Sequence, residues 1–272
     1  MAVNLVQEVL KGGLYTRVVG KRLLYFEELT STMDRAVSEA SGGAMEGTVV
    51  VAGRQSQGRG RFQRLWVSEA GNLLFSVVFY PSLKTLPFLS IVASLAVVRA
   101  IEQETTLRPS IKWPNDILLR GEKVCGLLVE NAIEGQKVTH AIVGVGLNVS
   151  LDTSAYPEIK DIATSLNAEA GKDISQAGVL RRLLYAMDGL YVSMREGWSP
   201  VSEWREHLAT LGQRVEVRWK EEVIAGVAED VDEMGHLMVR RDDGTLARLT
   251  AGEVTFKKAS EETGMKGAVD AR

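Results

Sequence analysis

The chain has 272 residues, 45% apolar and 25% charged, the balance of a water-soluble globular protein large enough for one sizeable domain and a small one. A net charge of -3 and a pI near 5.8 argue against a general nucleic-acid binder, which would be basic. Cys125 is the single cysteine, which rules out an intrachain disulfide and fits a reducing cytoplasm.

Residues 3–10 predict a short helix halted by Gly12 and Gly13, and residues 23–27 a strand. No basic run followed by an apolar core marks an export signal. Thr30 or Ser31 is a natural N-cap for a helix reaching Ala40 and closed by Gly42 and Gly43. Residues 48–52 read as a buried strand, 53–64 as a Gly/Arg/Gln-rich loop, and 73–80 as a second buried strand closed by Pro81. The longest apolar stretch, 86–98, contains Pro87 and stops at Arg99, too short and broken to span a bilayer. Ile91, Leu95, Val98 and Ile101 recur at helical spacing. Residues 123–132 and 138–149 predict two long strands joined by a tight turn at Gly135. Leu180, Leu183, Leu184, Met187, Leu190 and Met194 give an amphipathic helix. From Arg214 the pattern becomes five short strands (215–219, 223–229, 237–240, 246–249, 254–256), as in a small barrel. The expected domains are 1–210, 211–258, and a flexible tail at 259–272.

Chemistry concentrates in three places. The loop Gly53-Arg54-Gln55-Ser56-Gln57-Gly58-Arg59-Gly60-Arg61-Phe62-Gln63-Arg64-Leu65-Trp66 sets four arginines among glycines. Guanidinium forks suit phosphate and carboxylate, and the glycines let backbone approach a ligand. Taken alone, the loop reads equally as a solvated surface or a weak RNA-binding segment. The second place is Lys112-Trp113-Pro114-Asn115-Asp116 with the strand opened by Lys123, on which Gly126 leaves room for a ligand. The third is Gly144-Val145-Gly146-Leu147-Asn148. No P-loop or complete dinucleotide fingerprint occurs. His140, His207 and His236 lack metal-ligand spacing with the lone cysteine. No local Ser/His/Asp or Cys/His signature is present.

Together these segments resemble the biotin–protein ligase family. Its marks appear in order: Ser31-Thr32, a G-R-G-R loop from Gly58 to Trp66, the K-W-P-N-D segment, a K-x-x-G-[IL]-L strand from Lys123 to Leu128, and a G-x-G-x-N strand from Gly144 to Asn148. The resemblance implies an α+β fold: a central mixed sheet packed with helices, of the class II synthetase-like type, plus a small C-terminal SH3-like β-barrel. It implies ATP-dependent formation of biotinyl-5'-AMP, with Mg²⁺, and transfer of biotin to a lysine of a biotin carboxyl carrier domain. Ser31, Thr32 and Gln55 would bond the ureido ring of biotin, with Gly58, Gly126, Leu128 and Gly144 around it. Arg59, Arg61 and Lys123 would carry the catalytic charge. Arg61, Arg64, Trp66, Asn115, Asn148, Glu253 and Lys257 would face the nucleotide, and Asp116 is the candidate metal ligand. Met33 stands where the family often has Asn, and Gln63 where many members have a second glycine.

The resemblance further implies a cytoplasmic enzyme, with pairing through edge strands of the central sheet as one family arrangement. A DNA-binding N-terminal module would need roughly sixty residues. Only about twenty precede the first predicted strand, so the ligase-only form, without DNA binding, is expected. The alternatives are a lipoate–protein ligase and a non-catalytic biotin- or RNA-binding protein.

Overall fold

The computed structural model describes residues 5–219 and 221–257; the tail expected at 259–272 lies outside them. The chain forms two compact units, Met1–Ile111 with Asn115–His207, and Lys112–Pro114 with the residues from Leu208 onward.

In chain order the first unit runs α1 (Leu5–Lys11), β1 (Arg22–Leu29), α2 (Thr32–Ser41), β2 (Thr48–Gln55), β3 (Asn72–Phe79), α3 (Leu89–Glu104), β4 (Ser110–Lys112), β5 (Asp116–Leu119), β6 (Glu122–Glu134), β7 (Lys137–Asn148), α4 (Leu166–Ala170), α5 (Gln176–Arg195) and α6 (Val201–Glu206). The strand order is β1-β2-β3-β7-β6-β5-β4. β1 and β2 run parallel, whereas β2–β3, β3–β7, β7–β6 and β6–β5 are antiparallel, giving the expected mixed sheet. β5, α4 and α6 are elements that the sequence pattern did not announce.

Strand alternation sorts the sheet into two faces. Val49, Val51, Leu73, Phe75, Val77, Phe79, Val143 and Val145 form one, wholly buried, and Phe79 lies 4.6 Å from the Tyr191 ring of α5. By length and composition the segment Leu86–Glu104 is apolar enough to cross a membrane. It is instead the core helix: Leu89, Leu95, Val97, Val98 and Ile101 are all buried. The other face carries Val50, Val78 and Ile142 against Met33 and Ala36 of α2. Ser31 caps α2, its hydroxyl accepting the Met33 N–H at 3.2 Å, a contact worth about 1 kcal/mol.

Two carboxylates, the buried Asp188 and the half-buried Glu46, pin α5 to the chain around it. Asp188 of α5 accepts the backbone N–H groups of Arg17, Val18 and Val19 at 2.8, 2.7 and 2.8 Å. Glu46 accepts from the Tyr191 hydroxyl at 2.6 Å and the Tyr80 amide at 3.0 Å.

The second unit is an antiparallel sheet, the SH3-like module, of β8 (Arg214–Trp219), β9 (Glu222–Val231), β10 (Leu237–Arg240), β11 (Leu246–Leu249) and β12 (Glu253–Phe256), ordered β11-β10-β9-β8-β12. Val215, Val217, Ala228, Leu237, Val239, Leu249 and Val254 turn inward at every second position. Trp113 packs with this unit at 2% exposure. Its backbone N–H donates to Thr210 Oγ1 at 2.9 Å and its indole N–H to the Gly235 carbonyl at 3.0 Å.

The turn that offers that carbonyl is tied by Asp232. Its Oδ1 accepts the amides of Met234 and His236 at 2.9 Å each, and its Oδ2 the Arg248 guanidinium at 2.6 Å. Burial alone would raise the Asp232 pKa, but the His236 amide and ring, Arg248 and the Met234 amide outweigh it and hold the carboxyl well below its ordinary value. A carboxylate depressed on folding contributes stability above its ordinary value of 3.8 and loses it as pH falls through the lower folded value. The difference in urea midpoint between the parent and Asp232→Asn is therefore expected to be widest near neutrality and to close as pH falls below about 4. A difference that persists undiminished to about pH 2 would count against this assignment.

Candidate functional site

The motif residues meet on the α2 face of the sheet because register puts them there. Gly126 pairs with Gly146, and Gly146 with Leu74; in the next row on the same face, Leu128 pairs with Gly144, and Gly144 with Ser76. The indole of Trp66 lies on the first row. A Cβ on Gly146 would come within 2.5 Å of the ring, and one on Gly126 within 2.8 Å, so the pair of glycines makes its seat. The buried indole N–H has no hydrogen-bond partner there, a donor left for a ligand atom. Over the second row lies Met33: a Cβ on Gly144 would meet its sulfur at 2.5 Å. The departure from Asn at that position thus fills the space above Gly144 with a thioether, and Leu128 packs against the same cluster.

Lys123 reaches this face through a bulge. Strict alternation from Gly126 would turn Lys123 to the other face, with Cys125. The β5–β6 register shifts between Ile117 and Leu118, pairing Ile117 with Cys125 and Leu118 with Lys123, so that Val124 is left over. Such bulges re-aim a side chain. The Lys123 ammonium consequently sits 5.4 Å from the Trp66 ring centroid and 2.5 Å from Asp116 Oδ1, and 3.3 Å from where a Gly126 Cβ would be. Cys125, on the opposite face, is fully buried, and burial pushes its thiol well above the ordinary range, which makes it inert.

Thr32 and Gln55 are joined. The Gln55 carbonyl accepts from the Thr32 N–H at 2.6 Å and its hydroxyl at 3.0 Å, and the Gln55 amide donates to Ser68 Oγ at 3.0 Å. Ser76 Oγ donates to Thr32 Oγ1 at 2.8 Å. Ser68 and Ser76 escaped the sequence reading, since lone serines in strands and loops carry no signal.

The arginine loop folds back on itself. The Trp66 amide donates to the Gly58 carbonyl at 2.9 Å, the Gly60 amide to the Arg64 carbonyl at 2.8 Å, and Arg59 bridges Leu65. Phe62 and Gln63 at its tip have φ of 57° and 60°, a region costly for side chains, and Gln63 is where many family members have glycine. Leu65 is 84% exposed. Arg59 is clasped by two carboxylates, Glu130 at 3.1 Å and Asp34 at 2.6 Å, and these hydrogen bonds, Glu130 first, raise its pKa further. Arg61 donates to Asn115 Oδ1 at 3.0 Å, and Asn115 Nδ2 to the Leu127 carbonyl at 2.8 Å. Neither Asp34 nor Glu130 was anticipated from the sequence.

Asn148 is inside the sheet at 2% exposure, both polar atoms of its carboxamide engaged. Glu253 and Lys257 belong to the second unit, where Lys257 pairs with Glu216 at 3.0 Å. As for magnesium, among the described residues no group of three or more His, Cys, Asp or Glu is placed to hold a metal ion, and Asp116 is taken up by Lys123. The described residues do not fit a protein-built magnesium cage.

Residues 25–148 match the Biotin/lipoate A/B protein ligase family, and residues 210–257 the Biotin protein ligase C terminal domain. The chain is 37% identical over 247 residues to the bifunctional ligase/repressor BirA of Bacillus subtilis, covering 89% of this chain and 76% of that protein. It is 30% identical over 234 residues to the biotin--[acetyl-CoA-carboxylase] ligase of Mycobacterium tuberculosis, covering 83% and 85%. The structure of the Aquifex aeolicus biotin protein ligase in complex with biotin and ATP superposes with a TM-score of 0.75 at 30% identity, covering 88% of this chain and all of that one. With the motif residues gathered on one sheet face and these likenesses along most of its length, the chain belongs to the biotin–protein ligase family.

Proposed function

We propose that this ligase joins biotin to ATP as biotinyl-5'-AMP on the α2 face of the first unit, and then passes biotin to a lysine of a biotin carboxyl carrier domain. A carboxylate is a poor electrophile until it is made a mixed anhydride. Forming that anhydride brings two anions together, so positive charge must be in place beforehand. Lys123 supplies it at the carboxylate and α-phosphate, with Arg61 beside it. The observation that carries this reading is the bulge that turns the Lys123 ammonium onto the glycine seat beside Trp66. Thr32 and Gln55, with Ser31, hold the ureido ring through their linked hydrogen bonds, while Gly126, Gly144 and Leu128 line its slot. Trp66 and Asn115 face the nucleotide, with Arg64 as an outer contact. Arg59, with Gly58, roots the loop that closes over the anhydride and excludes water. In the second step the acceptor amine attacks the acyl carbon, and AMP leaves as an anion stabilised by the same cations. A supply of ATP and the lone buried thiol of Cys125 agree with a cytoplasmic enzyme.

The test is pyrophosphate exchange into the magnesium salt of ATP, with biotin in one reaction and lipoate in another. Exchange with biotin alone is expected, and Lys123→Ala is expected to lower it by about 10²–10³-fold, the usual cost of removing one pre-placed charge. Exchange with lipoate alone would overturn the substrate while leaving the adenylation chemistry intact. Wild-type rates in folded Lys123→Ala would remove the lysine from the reaction.

A further inference from the structure

The groups given above to the ureido ring stand in a hydrogen-bonded chain whose direction is fixed by what each atom can do. The Thr32 backbone N–H, 2.6 Å from the Gln55 carboxamide, can only donate, so the atom facing it is Oε1 and the amide nitrogen points away. Oε1 can only accept, so the Thr32 hydroxyl, at 3.0 Å, gives it its one proton. The Ser76 hydroxyl then donates to Thr32 Oγ1 at 2.8 Å. At the other end Gln55 Nε2 donates to Ser68 Oγ at 3.0 Å, and Ser68 gives its own proton to the Trp66 carbonyl at 2.9 Å. Every side-chain bond from Ser76 to Trp66 thus points the same way. The chain leaves two valences for a ligand, the second Nε2 proton and one lone pair of Thr32 Oγ1. One donor beside one acceptor is the complement of a cyclic urea edge, which offers C=O beside N–H.

Ser68 anchors the far end of that arrangement. It is 5% exposed, and its carbonyl also accepts the Gln55 backbone N–H at 3.0 Å, so one residue ties both parts of the glutamine. Trp66, which receives the serine proton, donates its amide to the Gly58 carbonyl at 2.9 Å. A Cβ on Gly58 would run into the Ser68 hydroxyl and the Trp66 carbonyl. The first glycine of the G-R-G-R loop is therefore the space that this bridge needs. Without the hydroxyl, Nε2 loses its fixed acceptor. The carboxamide then pivots about its Thr32 bonds, and the remaining donor swings off the urea edge.

We propose that Ser68 is a positioning residue for biotin recognition: through Gln55 Nε2 it aims the donor that meets the ureido carbonyl. This rests on the biotin reading above. Calorimetric titration of biotin into the intact chain, without nucleotide, tests it. Ser68→Ala should weaken biotin about five- to tenfold, the worth of one net hydrogen bond. In pyrophosphate exchange at saturating biotin, kcat and ATP KM should stay within about twofold of the parent. Ser68→Cys keeps the shape but is a poor hydrogen-bond partner; it should weaken biotin alike and serves if Ser68→Ala does not fold. In a Gln55→Ala background the serine change should cost less than about twofold, because its effect runs through the carboxamide. Amide NMR gives a readout apart from the ligand: the Gln55 side-chain signals should move in both serine variants, with the β8–β9 backbone amides unchanged.

Parent-like biotin affinity in the folded variants, or full additivity with Gln55→Ala, would overturn the proposal. A raised ATP KM at unchanged biotin affinity would also overturn it and assign the serine to the nucleotide. A parent that takes no biotin would instead sink the ligase reading and the ligand half with it, leaving the Gln55 signals to decide whether Ser68 holds the carboxamide.

Discussion

Gly146→Ala is expected to lower biotin adenylation about a hundredfold, with a stable fold. The new methyl would lie 2.5 Å from the Trp66 indole, well inside contact distance, and the ring has Gly126 and Lys123 on its other sides. The ring must therefore ride up from the sheet by an ångström or so, and displacements of that size at a reacting centre cost ~10²-fold. The effect should fall on kcat and ATP KM together, because the indole both bounds the nucleotide side and neighbours the Lys123 ammonium. Gly189→Ala is the matched control, since a Cβ there in α5 meets open space. Parent-like exchange from folded Gly146→Ala would show that the indole seat plays no part in the chemistry.

Asp188→Ala should produce the largest loss of stability of any single exchange outside the site, about 3–5 kcal/mol. The carboxylate is 5% exposed and answers three successive backbone N–H groups, that of Val19 fully buried and those of Arg17 and Val18 partly so. Each orphaned buried donor costs about 1–3 kcal/mol, and the site cannot collapse to meet them. Asp188→Asn keeps one oxygen and should recover part of the loss, the Val18 and Val19 amides sharing Oδ1. Urea denaturation of the three proteins measures this. A loss below about 1 kcal/mol for Asp188→Ala would mean that residues 17–19 find other acceptors.

Much of this architecture is legible in the residues. β-branched runs mark β2 and β3, the Ser31 cap and Gly42 bound α2, and spacing alone gives the five short strands of the second unit. The five motifs fall in order, and alternation sends Gly126, Leu128, Gly144 and Gly146 to one face. What the sequence could not disclose are departures from regularity. The bulge that leaves Val124 unpaired has no local signature, so the side to which Lys123 points could not be read from its position in the strand. The parallel bridge from Lys123 to Ala163 is equally silent, because it depends on residues 162–164 arriving from elsewhere in the chain. Asp34 and Glu130 look like ordinary surface carboxylates until Arg59 is seen between them. Residue types predicted the chemistry; long-range pairing decides which atoms are aimed and which merely hold.

The membership of Trp113 in the second unit has a consequence for dissecting the protein. A polypeptide ended at His207 would look in sequence like a tidy catalytic half, yet it would keep a large indole whose burial and hydrogen bonds come from Thr210 and Gly235. Deprived of them, that ring would lie bare one proline away from Asn115, the acceptor for Arg61. The small module is thus not an appendage that can be trimmed from an intact site: shortening the gene at the apparent boundary injures the motif that sits nearly a hundred residues upstream, and loss of activity in such a truncation would say nothing about what the module itself binds.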